Sequence, residues 1–120
     1  RLVRVICTRC KEPYSPPQAE LEGAGITKEM AADATFFKGK GCEHCQKNGF
    51  RGRIGIYELM FMKAKIRELT FEGAPTQQIR TAAIGQGMNT LYRDGIDKVL
   101  RGITTLSEVY RVAKRVEGDM

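Results

Sequence analysis

The four cysteines of this chain fall into two pairs of identical spacing, CTRC at residues 7–10 and CEHC at residues 42–45. Each CxxC can turn both sulfurs toward one ion, and two such knuckles complete a tetrahedral S4 site with bonds of about 2.3 Å. Between Cys10 and Cys42 lie 31 residues, more than a simple zinc ribbon uses, so an insert with helical structure of its own is expected. Four protein ligands leave no position open for water or substrate. The expected role of Cys7, Cys10, Cys42 and Cys45 is therefore to hold a structural Zn2+ ion.

The rival readings of the cysteines depend on where the chain resides. No stretch approaches the roughly 20 apolar residues of a membrane helix, and RLVRVICTRC has a cysteine where a signal peptide would carry its apolar core. A cytoplasmic chain is expected, where thiols stay reduced and paired CxxC motifs favour a metal over disulfides. Four buried free thiols would explain the composition but not the pairing. His44 lies between two ligands and reads as a spectator rather than a fifth ligand, either donating to a sulfur or facing solvent.

At 120 residues with 42% hydrophobic content the chain can bury one small core. It opens without an initiator Met on Leu2, Val3, Val5 and Ile6, which read as the end of an element, so part of a longer protein is expected. Ser15 is the expected cap of a short helix stopped by Gly23 or Gly25, with a second helix from Thr27 to about Ala34. Thr35 to Phe37 then form a brief extended piece. The alternation in RIGIYELMFM, residues 53–62, predicts a strand covered on both faces.

Beyond it, apolar spacing predicts helices over 65–71 and 76–84 and within TLYRDGIDKVLRG, residues 90–102, stopped by Gly73, by Gly85 and Gly87, and by Gly102. TLSE at 105–108 fits a capping box, opening a last helix whose stripe is Leu106, Val109, Val112, Ala113 and Val116. The expected fold is α+β: a zinc-knuckle subdomain with short strands over residues 1–62, then a bundle of about four helices over residues 63–120, together one compact unit.

Charge adds a second candidate site. The net charge is +6, from 20 Lys and Arg against 14 Asp and Glu, without the block-like runs of a nucleic-acid arm. Arg51 and Arg53 follow the second knuckle two residues apart, so in extended chain they point the same way. Lys38, Lys40 and Lys47 lie nearby, opposed only by Glu43. The cluster is either a solvated basic loop or a docking surface, and Arg51 and Arg53 are the interaction residues expected in the second case.

CTRC, FFKGKGCEHCQKNGFRGRIGIYELM, IREL, IRTAAIGQGMNTL and DGIDKVLRGITTLSEVYRV resemble, in that order, the C-terminal region of the secretion ATPases that assemble type IV pili and drive type II secretion. The likeness is sparsest across residues 11–34, and the chain has Lys63 and Pro75 where the family's helix starts usually carry a polar cap. The resemblance implies a parent that is a hexameric P-loop motor of the cytoplasm, contacting neighbouring subunits and bound to an inner-membrane platform protein. It also implies a tetracysteine zinc site at Cys7, Cys10, Cys42 and Cys45.

ATP and Mg2+ would belong to that parent. These residues contain no GxxxxGK[ST] loop, and no catalytic residue carries over, so this stretch is not expected to be an enzyme by itself. The alternative is a zinc-ribbon nucleic-acid-binding module. Against it, Phe36, Phe37 and Phe50 are more economically core than a stacking row, so nucleic acid is not the expected partner.

Overall fold

Two antiparallel strand pairs and six helices account for the regular structure in residues 1–113, the part that the structure, a computed structural model, describes. β1 (Leu2–Ile6) pairs with β4 (Phe50–Gly55), Val3 opposite Ile54 and Arg4 opposite Arg53, with a bulge between Arg4 and Ile6. β2 (Lys11–Tyr14) pairs with β3 (Phe36–Gly39), Tyr14 opposite Phe36. Between β2 and β3 run α1 (Gln18–Ala24) and α2 (Lys28–Ala32), the helical insert expected between the knuckles. The cap of α1 is Pro17, without a side-chain bond, rather than Ser15, while Gly25 at φ 81° closes it.

The expected strand over residues 53–62 ends at Gly55. Its partner β1 reaches only to Leu2, and the final rung is a reciprocal pair of hydrogen bonds between Arg1 and Ile56 at 2.9 and 2.7 Å. Ile56 is fully buried, but Tyr57, Leu59, Met60, Phe61 and Met62 are exposed. Among the described residues nothing pairs with residues 57–62, so the backbone there has no ladder to hold it as a strand.

Four helices follow in two pairs. α3 (Ala64–Phe71) packs on α4 (Thr76–Gly85), and both start without a side-chain cap, at Lys63 and Pro75. α5 (Leu91–Leu100) packs on α6 (Leu106–Val112), and here the threonines cap: Thr90 Oγ1 accepts from Arg93 N, and Thr105 Oγ1 from Glu108 N. The capping box at Thr105 is only half made, since the Glu108 carboxylate turns away to Arg4. The stripe of α6 holds at Leu106, Val109, Val112 and Ala113, and Val116 lies outside the described residues.

A single apolar core draws on both halves of the chain: Val3, Leu21, Phe36 and Ile56 meet Tyr92, Ile96, Leu106 and Val109. Each such buried side chain contributes about 1.5–3 kcal/mol relative to exposure. Gly95 lets the last two helices close, because a Cβ there would meet Val109 Cγ1 at 2.8 Å. The buried Tyr92 hydroxyl donates to Ala24 O at 2.6 Å, tying α5 to α1. Ile66, Leu69 and Ala83 are buried outside this cluster, in the α3–α4 pair. No helix among the described residues is long and apolar enough to cross a membrane.

Candidate metal centre

The two strand pairs deliver the two knuckles to one point. β1 ends one residue before Cys7, and β2 begins one residue after Cys10. β3 leads through Gly41 into Cys42, and β4 starts five residues after Cys45. Cys7 N donates to Gly49 O at 2.9 Å and Lys40 N to Cys10 O at 3.1 Å, so each knuckle is fastened to the other's flank. The strands cross so closely that a Cβ on Gly39 would lie 2.0 Å from Gly49 O. Gln46 and Lys47 take φ of 57° and 65°, and Gly49 takes 85°, which turns the chain sharply back from the second knuckle.

The four Sγ atoms lie within 4.8 Å of one another. Cys7–Cys42 and Cys10–Cys45 are 3.8 Å apart, and Cys42–Cys45 are 3.7 Å apart. Sulfurs at the corners of a tetrahedron with Zn–S bonds of about 2.3 Å are separated by about 3.8 Å. Backbone amides point at the sulfurs as well. Gly41 N donates to Cys10 Sγ at 3.3 Å, Cys42 N to Cys45 Sγ at 3.3 Å and Gly49 N to Cys45 Sγ at 3.1 Å. Such donors favour thiolate, the form a metal requires.

Without an ion, the thiols are held unequally. Burial opposes ionisation of Cys45, but the Cys42 and Gly49 amides outweigh it and bring the thiol down to about 6. Burial, with the neighbouring sulfurs, pushes Cys10 up to about 11. Four crowded sulfurs cannot all carry charge by themselves, and a divalent cation at their centre would make thiolates of all four. The donor set, its spacing and its amide shell fit zinc. With four sulfur ligands, the ion would be closed to substrate.

His44 is half-buried, and burial together with Arg9 and Arg51 lowers its pKa. Its carbonyl accepts from Arg51 Nη1 at 2.9 Å, so Arg51 braces the knuckle from outside. Arg53 is exposed, opposite Arg4 in the ladder. Gly52, at φ 84°, stands between the two arginines and interrupts the regular alternation that would set them side by side. The aromatic residues of this end are occupied. Phe36 is in the core, the Phe37 ring lies 4.3 Å under Lys11 Nζ, and the Phe50 ring lies 4.3 Å under the Arg4 guanidinium.

Sequence reasoning missed the link from this centre to the last helix. Arg4 Nη1 donates to Asn48 Oδ1 at 3.2 Å beside the second knuckle. The same guanidinium donates through Nη2 to Glu108 Oε2 at 3.0 Å, and Arg4 N donates to Glu108 Oε1 at 2.8 Å. Arg111 Nη2 adds a bond to Oε1 at 3.1 Å. The Glu108 side chain is 3% exposed. Its burial would raise the pKa, but the two arginines overcome this and hold the carboxyl at about 2. The available signal was a carboxylate between Leu106 and Val109, on the buried stripe.

Fold and site together define a small α+β domain pinned by a tetracysteine knuckle. A family model described as "Type II/IV secretion system protein" matches residues 1–111, and the chain belongs to that family. Among curated relatives, the type II secretion system protein E of Pseudomonas aeruginosa is 40% identical over 114 residues, covering 95% of this chain and 22% of that protein. The type IV pilus assembly ATPase PilB of Thermus thermophilus is 38% identical over 117 residues, covering 98% of this chain and 13% of that protein. The type IV pilus assembly ATPase PilB of Myxococcus xanthus is 36% identical over 110 residues, covering 91% and 19%. The chain thus spans between 13 and 22% of the length of these relatives.

Proposed function

We propose that this chain is the structural zinc-binding C-terminal part of a hexameric secretion or pilus-assembly ATPase of the cytoplasm. In this reading it passes the motor's movement to neighbouring subunits or to an inner-membrane platform protein. The observation that carries the reading is the convergence of four sulfurs at tetrahedral spacing in a member of this family. A closed S4 site stiffens a fold without doing chemistry, which suits a part that must move as a body. Residues 1–62 would be the half held by the metal and residues 63–120 the half held by apolar packing. Arg51 and Arg53 would meet an acidic surface in the assembled motor, and ATP and Mg2+ would be held elsewhere in the longer protein.

Two measurements test this function. Elemental analysis after dialysis should give about one zinc per chain, and a folded protein free of metal would remove the structural role. Calorimetry with ATP and Mg2+ should show no binding to these 120 residues but clear binding to the full-length protein. Micromolar binding to the short chain would place a nucleotide site here and overturn the assignment. Tight association with DNA or RNA that falls steeply with salt would favour the nucleic-acid module instead.

A further inference from the structure

An asparagine followed by glycine is covalently labile, because no side chain keeps the glycine amide nitrogen from the asparagine side-chain carbonyl. That nitrogen gives up its proton and bonds to Cγ, the Cγ–Nδ2 bond breaks, and ammonia leaves a succinimide ring. Water then opens the ring, at Cγ to give aspartate or at the main-chain carbonyl to give isoaspartate. Asn48 and Gly49 are such a pair, whereas the other asparagine, Asn89, precedes the β-branched Thr90. The labile bond lies three residues beyond Cys45, inside the second knuckle's turn.

In the folded chain both reacting groups are engaged. Gly49 N donates to Cys45 Sγ at 3.1 Å in a buried bond, and Asn48 Oδ1 accepts from Arg4 Nη1 at 3.2 Å. Gly49 has a φ of 85°, and a Cβ on it would lie 2.7 Å from Gly39 O, so the peptide has no freedom to swing toward the side chain. Asn48 itself is exposed, and water is at hand once the nitrogen is released. We propose that Asn48–Gly49 is a site of spontaneous, succinimide-mediated modification that the closed knuckle suppresses and that loss of metal from the four sulfurs unmasks. Isoaspartate would add a main-chain methylene beside Gly49, at a crossing too tight for a Cβ, so a knuckle modified in this way does not close again around an ion.

Residue 48 reports the reaction directly. The full-length protein, its zinc content measured, is incubated at neutral pH beside a free peptide of residues 42–55, and conversion is followed by peptide mass spectrometry with enzymatic methylation of isoaspartate. Because a held amide must first open locally, the metal-loaded protein should convert about tenfold or more slowly than the peptide, and the chelated protein within about threefold of it. Conversion at the peptide rate in the metal-loaded protein overturns the proposal, and so does protection that survives measured loss of zinc. After chelation and incubation, the isoaspartate fraction should fail to take zinc back while unmodified protein recovers it; equal recovery overturns the block on closure.

Two variants keep the inference open to refutation. Cys45→Ala removes the sulfur that holds Gly49 N and should convert near the peptide rate whether or not its knuckle folds, so continued protection there sinks the idea. Asn48→Gln needs a larger ring to close and should stay unmodified, and an equal rate in that variant would place the reaction elsewhere. The inference shares only the metal with the proposed function. A protein found to hold no zinc would defeat that function, and the comparison of parent, Cys45→Ala and free peptide would still decide whether the closed knuckle protects Asn48.

Discussion

The two ends of the molecule are built on different forces. Around the cysteines the buried side chains are few, and order comes from sulfur geometry, backbone amides and the glycine crossing at Gly39 and Gly49. Around α5 and α6 it comes from packed Tyr92, Ile96, Val99, Leu106 and Val109. β1 belongs to both, with Val3 in the core and Cys7 in the knuckle. The contrast teaches that one end is ordered by polar geometry around four sulfurs that could hold a cation, and the other by apolar packing that involves no cysteine.

The largest expected effect separates the ends. Cys42→Ser, or chelation, should remove the zinc, whose apparent binding energy in small zinc domains is about 10–16 kcal/mol. Hydrogen exchange should then accelerate across residues 7–14 and 36–50 while α5 and α6 keep their protection. Uniform loss of protection would show that the core cannot stand without the knuckle.

The reverse cut comes next in size. Ile96→Ala leaves a cavity in the core and should cost about 2–5 kcal/mol, lowering the denaturation midpoint without changing zinc stoichiometry. Loss of metal in that variant would mean that the ends are a single cooperative unit.

Glu108 sharpens the comparison at the joint. Its carboxyl titrates at about 2 when folded, against an ordinary value of 4.5. The unfolded chain therefore binds more protons between these values, so the contribution is present above about pH 4.5 and disappears as pH falls toward 2. With the arginine partners about half-exposed, Glu108→Gln should cost about 2 kcal/mol at pH 7. The gap between variant and parent should shrink between pH 4.5 and 2 in chemical denaturation. Acid release of metal affects both proteins alike, so a pH-independent gap would remove the charge from the explanation.

The smallest effect belongs to the knuckle's outer face. Arg51→Ala loses the bond to His44 O and should cost about 1 kcal/mol or less. Arg51→Glu with Arg53→Glu should leave zinc content and melting temperature of the 120-residue chain nearly unchanged while assembly or ATPase activity of the full-length protein falls. Unfolding of the short chain would make these arginines purely structural.

The convergence of the four cysteines was legible because paired CxxC motifs announce themselves by type and spacing, and α5 and α6 because Thr90 and Thr105 stand at the starts of strong apolar periods. β2 was missed: KEPY has no strand signal of its own and is extended because β3 pairs with it. The strand over 53–62 was read too long: alternation reports which faces a segment could bury, and among the described residues nothing pairs with residues 57–62. The Arg4–Glu108 contact spans 104 residues of sequence, and no local pattern encodes it.

The spacing of the knuckles also sets a timetable. Synthesis at about 5–20 residues per second separates Cys42 from Cys10 by about 2–6 seconds, an interval in which the first two thiols have left the peptidyl-transferase centre without their partners. Glu108 follows Cys45 by a further 63 residues, so the metal can be captured before Arg4 has a carboxylate to meet. In a cell short of zinc, the nascent chain would reach α6 with the first knuckle still open, and the two ends described here would mature on different clocks.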